Sequence, residues 1–121
     1  MPIELKRVYD AASPDDGYRV LVDRLWPRGI SKEQARIDEW LRHVAPSDEL
    51  RKWYHKNPSC WEEFRARYLD ELTQHADELR RLAGIAKTRK VTLVYSSRRV
   101  THNNAEVLKE YLESLQADPT V

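Results

Sequence analysis

Chemically capable side chains crowd into one stretch of this chain, Asp23-Arg24-Leu25-Trp26-Pro27-Arg28-Gly29. It holds a carboxylate, two guanidiniums and an indole, and Pro27 and Gly29 forbid a regular continuation, so these groups stand in a stiffened loop. A second stretch, Ser96-Ser97-Arg98, runs through His102-Asn103-Asn104 into a helix-like segment. If the two stretches are neighbours, arginines, hydroxyls and the free N–H groups of a helix N-terminus converge, a combination suited to phosphate or carboxylate. In this reading Arg24, Trp26, Arg28, Ser96, Arg98 and Asn103 bind the ligand, with Arg28 holding the anion. Asp23 and His102 are the catalytic candidates: Asp23 orients Arg24 or His102, and a histidine exchanges protons near neutral pH.

Each of these residues has a plainer role open to it. Asp23 and Arg24 can form an ion pair that only fixes the loop. Trp26 can be a core plug, given the area an indole buries. Asn103 or Asn104 can be a helix cap, and His102 a surface histidine. Ser96 or Ser97, His102 and Asp23 assemble on paper into a Ser-His-Asp set, but such sets are defined by positions in space. The four histidines show no metal-ligand spacing, so no metal site is expected. Cys60 reads as a packed cysteine. With Gly17, Gly29 and Gly84 the only glycines, there is no phosphate-cradling glycine loop, and no cofactor is expected.

The elements that must position these groups follow from periodicity. Ile3 to Tyr9 reads as a strand, Ser13 to Gly17 as a turn, and Arg19 to Asp23 as a second strand. Ser31 and Gln34 make a capping box for a helix, and the spacing of Ile37, Trp40, Leu41 and Val44 continues a helical face. Ser47 caps the next helix, which Asn57-Pro58 ends. Ser59 and Glu62 form a further capping box ahead of Trp61, Phe64, Tyr68, Leu69 and Leu72, a helical stripe. Leu79, Leu82, Ala83 and Ala86 mark another helix. Val91 to Tyr95 is the most apolar run and fits a central parallel strand. Ala105, Val107, Leu108, Tyr111, Leu112 and Leu115 line the last helix, and residues 117–121 read as a loose tail. The predicted fold is a small α/β domain spanning 1–121: a short three-stranded, mainly parallel sheet covered by about five to six helices. Ligands of open α/β sheets bind at the carboxyl ends of the strands, which is where Asp23 and Ser96 fall.

The 121 residues are 40% hydrophobic and 34% charged, with a net charge of +1. That near-balance removes any global electrostatic case for nucleic acid or a membrane surface. A single cysteine allows no intrachain disulfide, no signal-type apolar stretch begins the sequence, and no run nears the ~18 apolar residues of a membrane span. A cytoplasmic protein is expected, with its oligomeric state left open. The charge is uneven: no acid lies between Glu78 and Glu106, while Arg80, Arg81, Lys87, Arg89, Lys90, Arg98 and Arg99 do.

The runs Arg7-Val8-Tyr9-Asp10, Asp15 to Gly29, Leu50-Arg51-Lys52-Trp53-Tyr54, Trp61-Glu62-Glu63-Phe64 and His102 to Leu108 resemble the YeaO-like proteins of the DUF488 family, a family of domains of unknown function. The resemblance covers nearly the whole chain. It implies a compact bacterial α/β protein and supplies no reaction. Wider relatives carry Asp-Val-Arg and Pro-Arg runs at the matching strand end and a Cys-His-Arg near the last helix, which carries Asp23, Arg28 and His102 over as site positions. Where many relatives have Gly or Ala, Lys and Asp after the third strand, this chain reads Ser96-Ser97-Arg98-Arg99-Val100-Thr101. Loss of an acid and gain of an arginine make that edge more basic. The function expected first is an anion-binding pocket for a phosphate-bearing small molecule, open to being an enzyme. The alternatives are a nucleic-acid-binding or regulatory module using the basic stretch 80–99, which is not favoured, and a partner-binding protein without a small ligand.

Overall fold

The computed structural model describes residues 3–117. Four parallel strands form one sheet: β1 (Ile3–Arg7), β2 (Tyr18–Leu21), β3 (Glu39–Trp40) and β4 (Val91–Tyr95), in the order β1-β4-β2-β3. The helices are α1 (Lys32–Ala35), α2 (Asp48–Lys56), α3 (Trp61–Leu72), α4 (Ala76–Thr88) and α5 (Asn104–Ala117). The α/β class and the central, fully buried β4 are as expected from the apolar run 91–95. Of the tail read over 117–121, Ala117 closes α5 and the remainder lies outside the described residues. No helix among the described residues is long and apolar enough to cross a membrane.

The strand period divides the sheet into two unlike faces. Ile3, Val20, Val91, Leu93 and Tyr95 face α2 to α5, where Phe64, Tyr68, Leu72, Leu79, Leu82, Leu108 and Leu112 are buried with them. Trp61, at the head of the α3 stripe, is only half-buried. The opposite face is thin. Leu21 and Val94 pack there with Val8 and Ala35 under Trp26, Ile30, Ile37 and Trp40, and the two indoles meet edge to face at 5.6 Å. On the same face Arg19, 3% exposed, donates from Nη1 to Asp16 at 2.6 Å and from Nε and Nη2 to the Ala35 carbonyl. Lys6 Nζ also reaches Asp16 at 3.1 Å, and Thr92 Oγ1 donates to the Asp16 carbonyl. Burial alone would push the Asp16 carboxyl up, but the Ser13 backbone N–H, Lys6 and Arg19 outweigh it and hold it below its ordinary value.

Gly17 makes the turn into β2. Its φ is +66°, and a Cβ there would sit 2.4 Å from the Lys90 carbonyl oxygen, so the turn demands glycine.

Three local expectations change. The helical face predicted over Ile37 to Val44 is instead β3 followed by a 3-10 turn, Arg42–Val44. Arg36 turns left-handed (φ 49°) and stops α1. Asp38 then bonds the β2 edge twice, its N–H to the Arg19 carbonyl and its carboxylate to the Arg19 N–H. Pairing with an open strand edge satisfies backbone groups that one more helical turn would leave at a surface. The sheet therefore has four strands rather than three. The Ser59–Glu62 capping box is replaced by Cys60 at the N-cap of α3, with no side-chain cap bond. β1 and β2 end at Arg7 and Leu21, although Val8 and Val22 still donate to the Tyr95 and Val94 carbonyls.

Candidate functional site

The carboxyl ends of β2 and β4 open into a cleft of about 590 Å³. Its floor is the sheet end, with Asp23, Arg24 and Leu25 after β2 and Ser96 and Ser97 after β4. Arg99, His102, Asn103 and Asn104 enter from the loop into α5. The facing wall comes from Ala45 and Pro46, from Arg51, Tyr54 and His55 on α2, from Pro58 between α2 and α3, and from Phe64 on α3.

Asp23 ties the floor together. Oδ2 accepts from the Ser96 N–H at 2.9 Å and the Ser96 hydroxyl at 2.6 Å, and Oδ1 accepts from Asn104 Nδ2 at 3.1 Å. The Trp40 indole donates to its carbonyl at 2.7 Å. One carboxylate thus brackets β2, β4 and the start of α5. The Ser96 hydroxyl donates to Asp23 itself, with no histidine between them.

The N-terminus of α5 is likewise engaged in part by its own chain. Asn103 Oδ1 accepts from the Glu106 N–H at 2.9 Å while its amide donates to the Arg99 carbonyl, and Glu106 accepts from the His102 N–H at 2.6 Å. Asn103 is 3% exposed and acts as the cap. Of the N–H groups expected there for an anion, that of Glu106 is therefore taken. His102 has φ 55°, and its ring stacks on Trp61 at 4.6 Å and 13°. The Tyr54 hydroxyl donates to its carbonyl at 3.0 Å.

Arg24 and Arg99 hold their positions through carbonyls, which satisfy N–H groups without neutralising charge. Arg24 donates to Pro46 at 3.1 Å and Ala45 at 3.0 Å, with Asp48 only at 3.9 Å. Arg99 crosses the cleft to the Pro58 carbonyl at 2.8 Å and to the Tyr54 hydroxyl, its guanidinium 5.3 Å from the centre of that ring. Arg51 lies 3.4 Å from the exposed Asp48. Burial raises the Tyr54 phenol above its ordinary value, against the lowering pull of Arg99.

The cleft therefore takes in Asp23, Arg24, Ser96, His102 and Asn103 from the residues singled out in the sequence. Trp26, Arg28 and Arg98 are not among its lining residues. Trp26 covers the thin sheet face and donates to the Ile30 carbonyl at 2.8 Å. Arg28 is exposed beside the end of β1, where its carbonyl accepts from the Tyr9 hydroxyl at 2.8 Å. Arg51, Tyr54, His55 and Pro58 were not read as site residues. Arg51, Tyr54 and His55 are three and four apart on one helix, so a shared face was legible; what that face meets was not. Among the described residues no group of acids, histidines and cysteine is placed to hold a metal ion.

A family model described as the inactive DUF488-N3 subclade matches residues 2–119. The uncharacterised protein YeaO of Escherichia coli (strain K12) is 52% identical over 115 residues, covering 95% of this chain and 100% of that protein. The uncharacterised protein Rv3073c of Mycobacterium tuberculosis (strain H37Rv) is 46% identical over 112 residues, covering 91% of this chain and 92% of that protein. No solved structure matches the chain. The family match over residues 2–119 and relatives aligned over more than nine-tenths of both chains show the family: the chain belongs to the DUF488 family, within the branch described as the inactive DUF488-N3 subclade.

Proposed function

We propose that the cleft binds a small phosphate-bearing anion and holds it without turning it over. The observation that carries this reading is the lining charge. Arg24, Arg51 and Arg99 face a space whose one lining carboxylate, Asp23, already accepts three internal hydrogen bonds. Arg24 and Arg99, satisfied by carbonyls, keep their charge, Arg51 meets only the exposed Asp48, and such a set favours an anion with several acceptor oxygens. A cleft of about 590 Å³ is the size of a metabolite site. Binding without turnover is supported by the engagement of Asp23 and Ser96 with each other, and it accords with a subclade described as inactive.

The nucleic-acid reading has less support. Arg80 pairs with Asp77, Arg81 with Glu39, and Lys90 with Glu4, while Arg89 lies over the Tyr18 ring. These cations answer local partners instead of forming one unanswered basic face.

A thermal-shift screen of nucleotides, sugar phosphates and short oligonucleotides tests the choice. A phosphate-bearing small molecule at 100 times its Kd should stabilise the protein by about 2.7 kcal/mol, and Arg51→Ala with Arg99→Ala should remove that stabilisation. Oligonucleotide binding with a steep salt dependence, lost in Arg80→Glu with Arg89→Glu but kept in Arg51→Ala with Arg99→Ala, would reverse the ordering.

A further inference from the structure

Resting on that anion-binding reading, we infer that the anion is the phosphate ester of a polyhydroxy compound, a sugar phosphate by class, and that His55, Ser97 and His102 read its hydroxyls. All three line the cleft that Arg24, Arg51 and Arg99 share. Among the described residues no hydrogen bond engages a ring nitrogen of either histidine. The Ser97 hydroxyl accepts from the Arg99 N–H at 3.1 Å and donates to nothing. The cleft therefore holds two kinds of unspent group: cations for the phosphate, and donors and acceptors without fixed charge for what the phosphate is attached to. A neutral imidazole offers one donor and one acceptor nitrogen, and Ser97 keeps its O–H to give. That is the complement of an alcohol, which both gives and takes hydrogen bonds.

Two of these readers are held in place before any ligand arrives. The His102 ring lies on Trp61 at 4.6 Å and 13°, which occupies one face and leaves the edge, with its nitrogens, to be read. Its backbone is fixed on both sides, the N–H by Glu106 and the carbonyl by the Tyr54 hydroxyl. The Ser97 carbonyl accepts from Arg7 Nε at 2.8 Å, and its hydroxyl oxygen meets the N–H of the residue whose guanidinium crosses the cleft. A hydroxyl reader and a phosphate binder are thus tied to each other. The apolar lining offers less. Ala45, Pro46 and Phe64 are buried, and the Tyr54 ring has Phe64 stacked on it at 4.1 Å and the Arg99 guanidinium 5.3 Å from its centre. A hydroxyl gains little over water at His55, Ser97 and His102. Discrimination comes from the converse case: an alkyl chain covers such groups and leaves them without a partner.

Isothermal titration with ribose 5-phosphate, pentyl phosphate and ribose tests the inference. The two esters carry the same phosphate on five carbons and differ in their hydroxyls. Ribose 5-phosphate should bind about tenfold or more tightly than pentyl phosphate, a difference of ~1.4 kcal/mol. His55→Leu with His102→Phe, which keeps a ring to lie on Trp61, should cut that ratio to about threefold or less. His55→Leu alone, at an exposed helix position where substitution costs folding little, should at least halve it and repeats the test with the α5 loop untouched. A parent ratio under about tenfold, or a ratio unchanged in both variants, overturns the inference and leaves the anion reading standing. Ribose binding as tightly as its phosphate, or no binding of either ester, overturns the anion reading and this inference with it.

Discussion

Arg19 on the thin sheet face and Arg99 at the sheet's carboxyl end present the same guanidinium in opposite surroundings. Arg19 is 3% exposed, and its donors go to the Asp16 carboxylate and the Ala35 carbonyl, with Lys6 sharing the same acid. Arg99 is exposed, reaches a hydroxyl and a carbonyl, and shares its cleft with two further arginines and one fully engaged acid. A buried charge must be answered where it sits, so the first region is architecture. A solvated charge needs no internal answer, so three arginines at a concave strand end, with exposed Asp48 as the one acid paired to Arg24 and Arg51, are available to a ligand.

The largest expected effect breaks the closed side of this contrast. Arg19→Ala leaves the buried Asp16 with Lys6 as its only cation, and urea unfolding should show a loss of about 3–5 kcal/mol. A loss under about 1 kcal/mol would mean the network does not hold α1 to the sheet. On the open side, Arg99→Ala should cost folding under about 1 kcal/mol and remove most of the roughly 2.7 kcal/mol of stabilisation given by a saturating phosphate ligand. A variant that unfolds while the parent's ligand response is intact would place Arg99 with the architecture.

The pH dependence sharpens the contrast with a smaller effect. Burial raises the Asp16 and Glu39 carboxyls, yet hydrogen bonds and cations (Ser13 N–H, Lys6 and Arg19 for Asp16; Arg81 and Tyr18 for Glu39) hold both below their ordinary 3.8 and 4.5. A depressed carboxylate stabilises the fold fully above its ordinary value and loses that contribution as pH falls through its folded one. Urea midpoints should therefore hold level between about pH 7 and 5 and fall below about pH 4, with a shallower fall in Asp16→Asn. A midpoint independent of acid would remove the network's electrostatic contribution. The smallest effect belongs to Arg28→Ala. Exposed and outside the cleft lining, Arg28 should change stability by no more than about 0.5 kcal/mol and leave the ligand response intact. Loss of that response would return Arg28 to the site that the sequence pattern gave it.

Much of the architecture was legible before any tertiary information. The β-rich run Val91 to Tyr95, the Ser31 and Ser47 caps and the stripe Phe64, Tyr68 and Leu72 all follow from local rules that the structure obeys. The short β3 was not legible. Its residues keep helical spacing, and only the open edge of β2, distant in sequence, turns them into a strand. The candidate site divides the same way. Asp23, Arg24, Ser96, His102 and Asn103 fall in the cleft because strand ends and loop breakers show in residue type and order.

What the chain alone determined is which segments, β3 apart, are strands or helices and which polar groups stand at their ends, since these depend on neighbours three or four residues away. What the tertiary structure decided is which charges are answered. Asp23 lies 73 positions from Ser96, and Arg99 lies 45 from Tyr54. Hydrogen bonds over such separations exist only after the sheet and helices pack. Packing thus made Trp26 a cover for a sheet face and made Asp23 a bracket, and it brought Arg51 and Tyr54 on α2 opposite the end of β4.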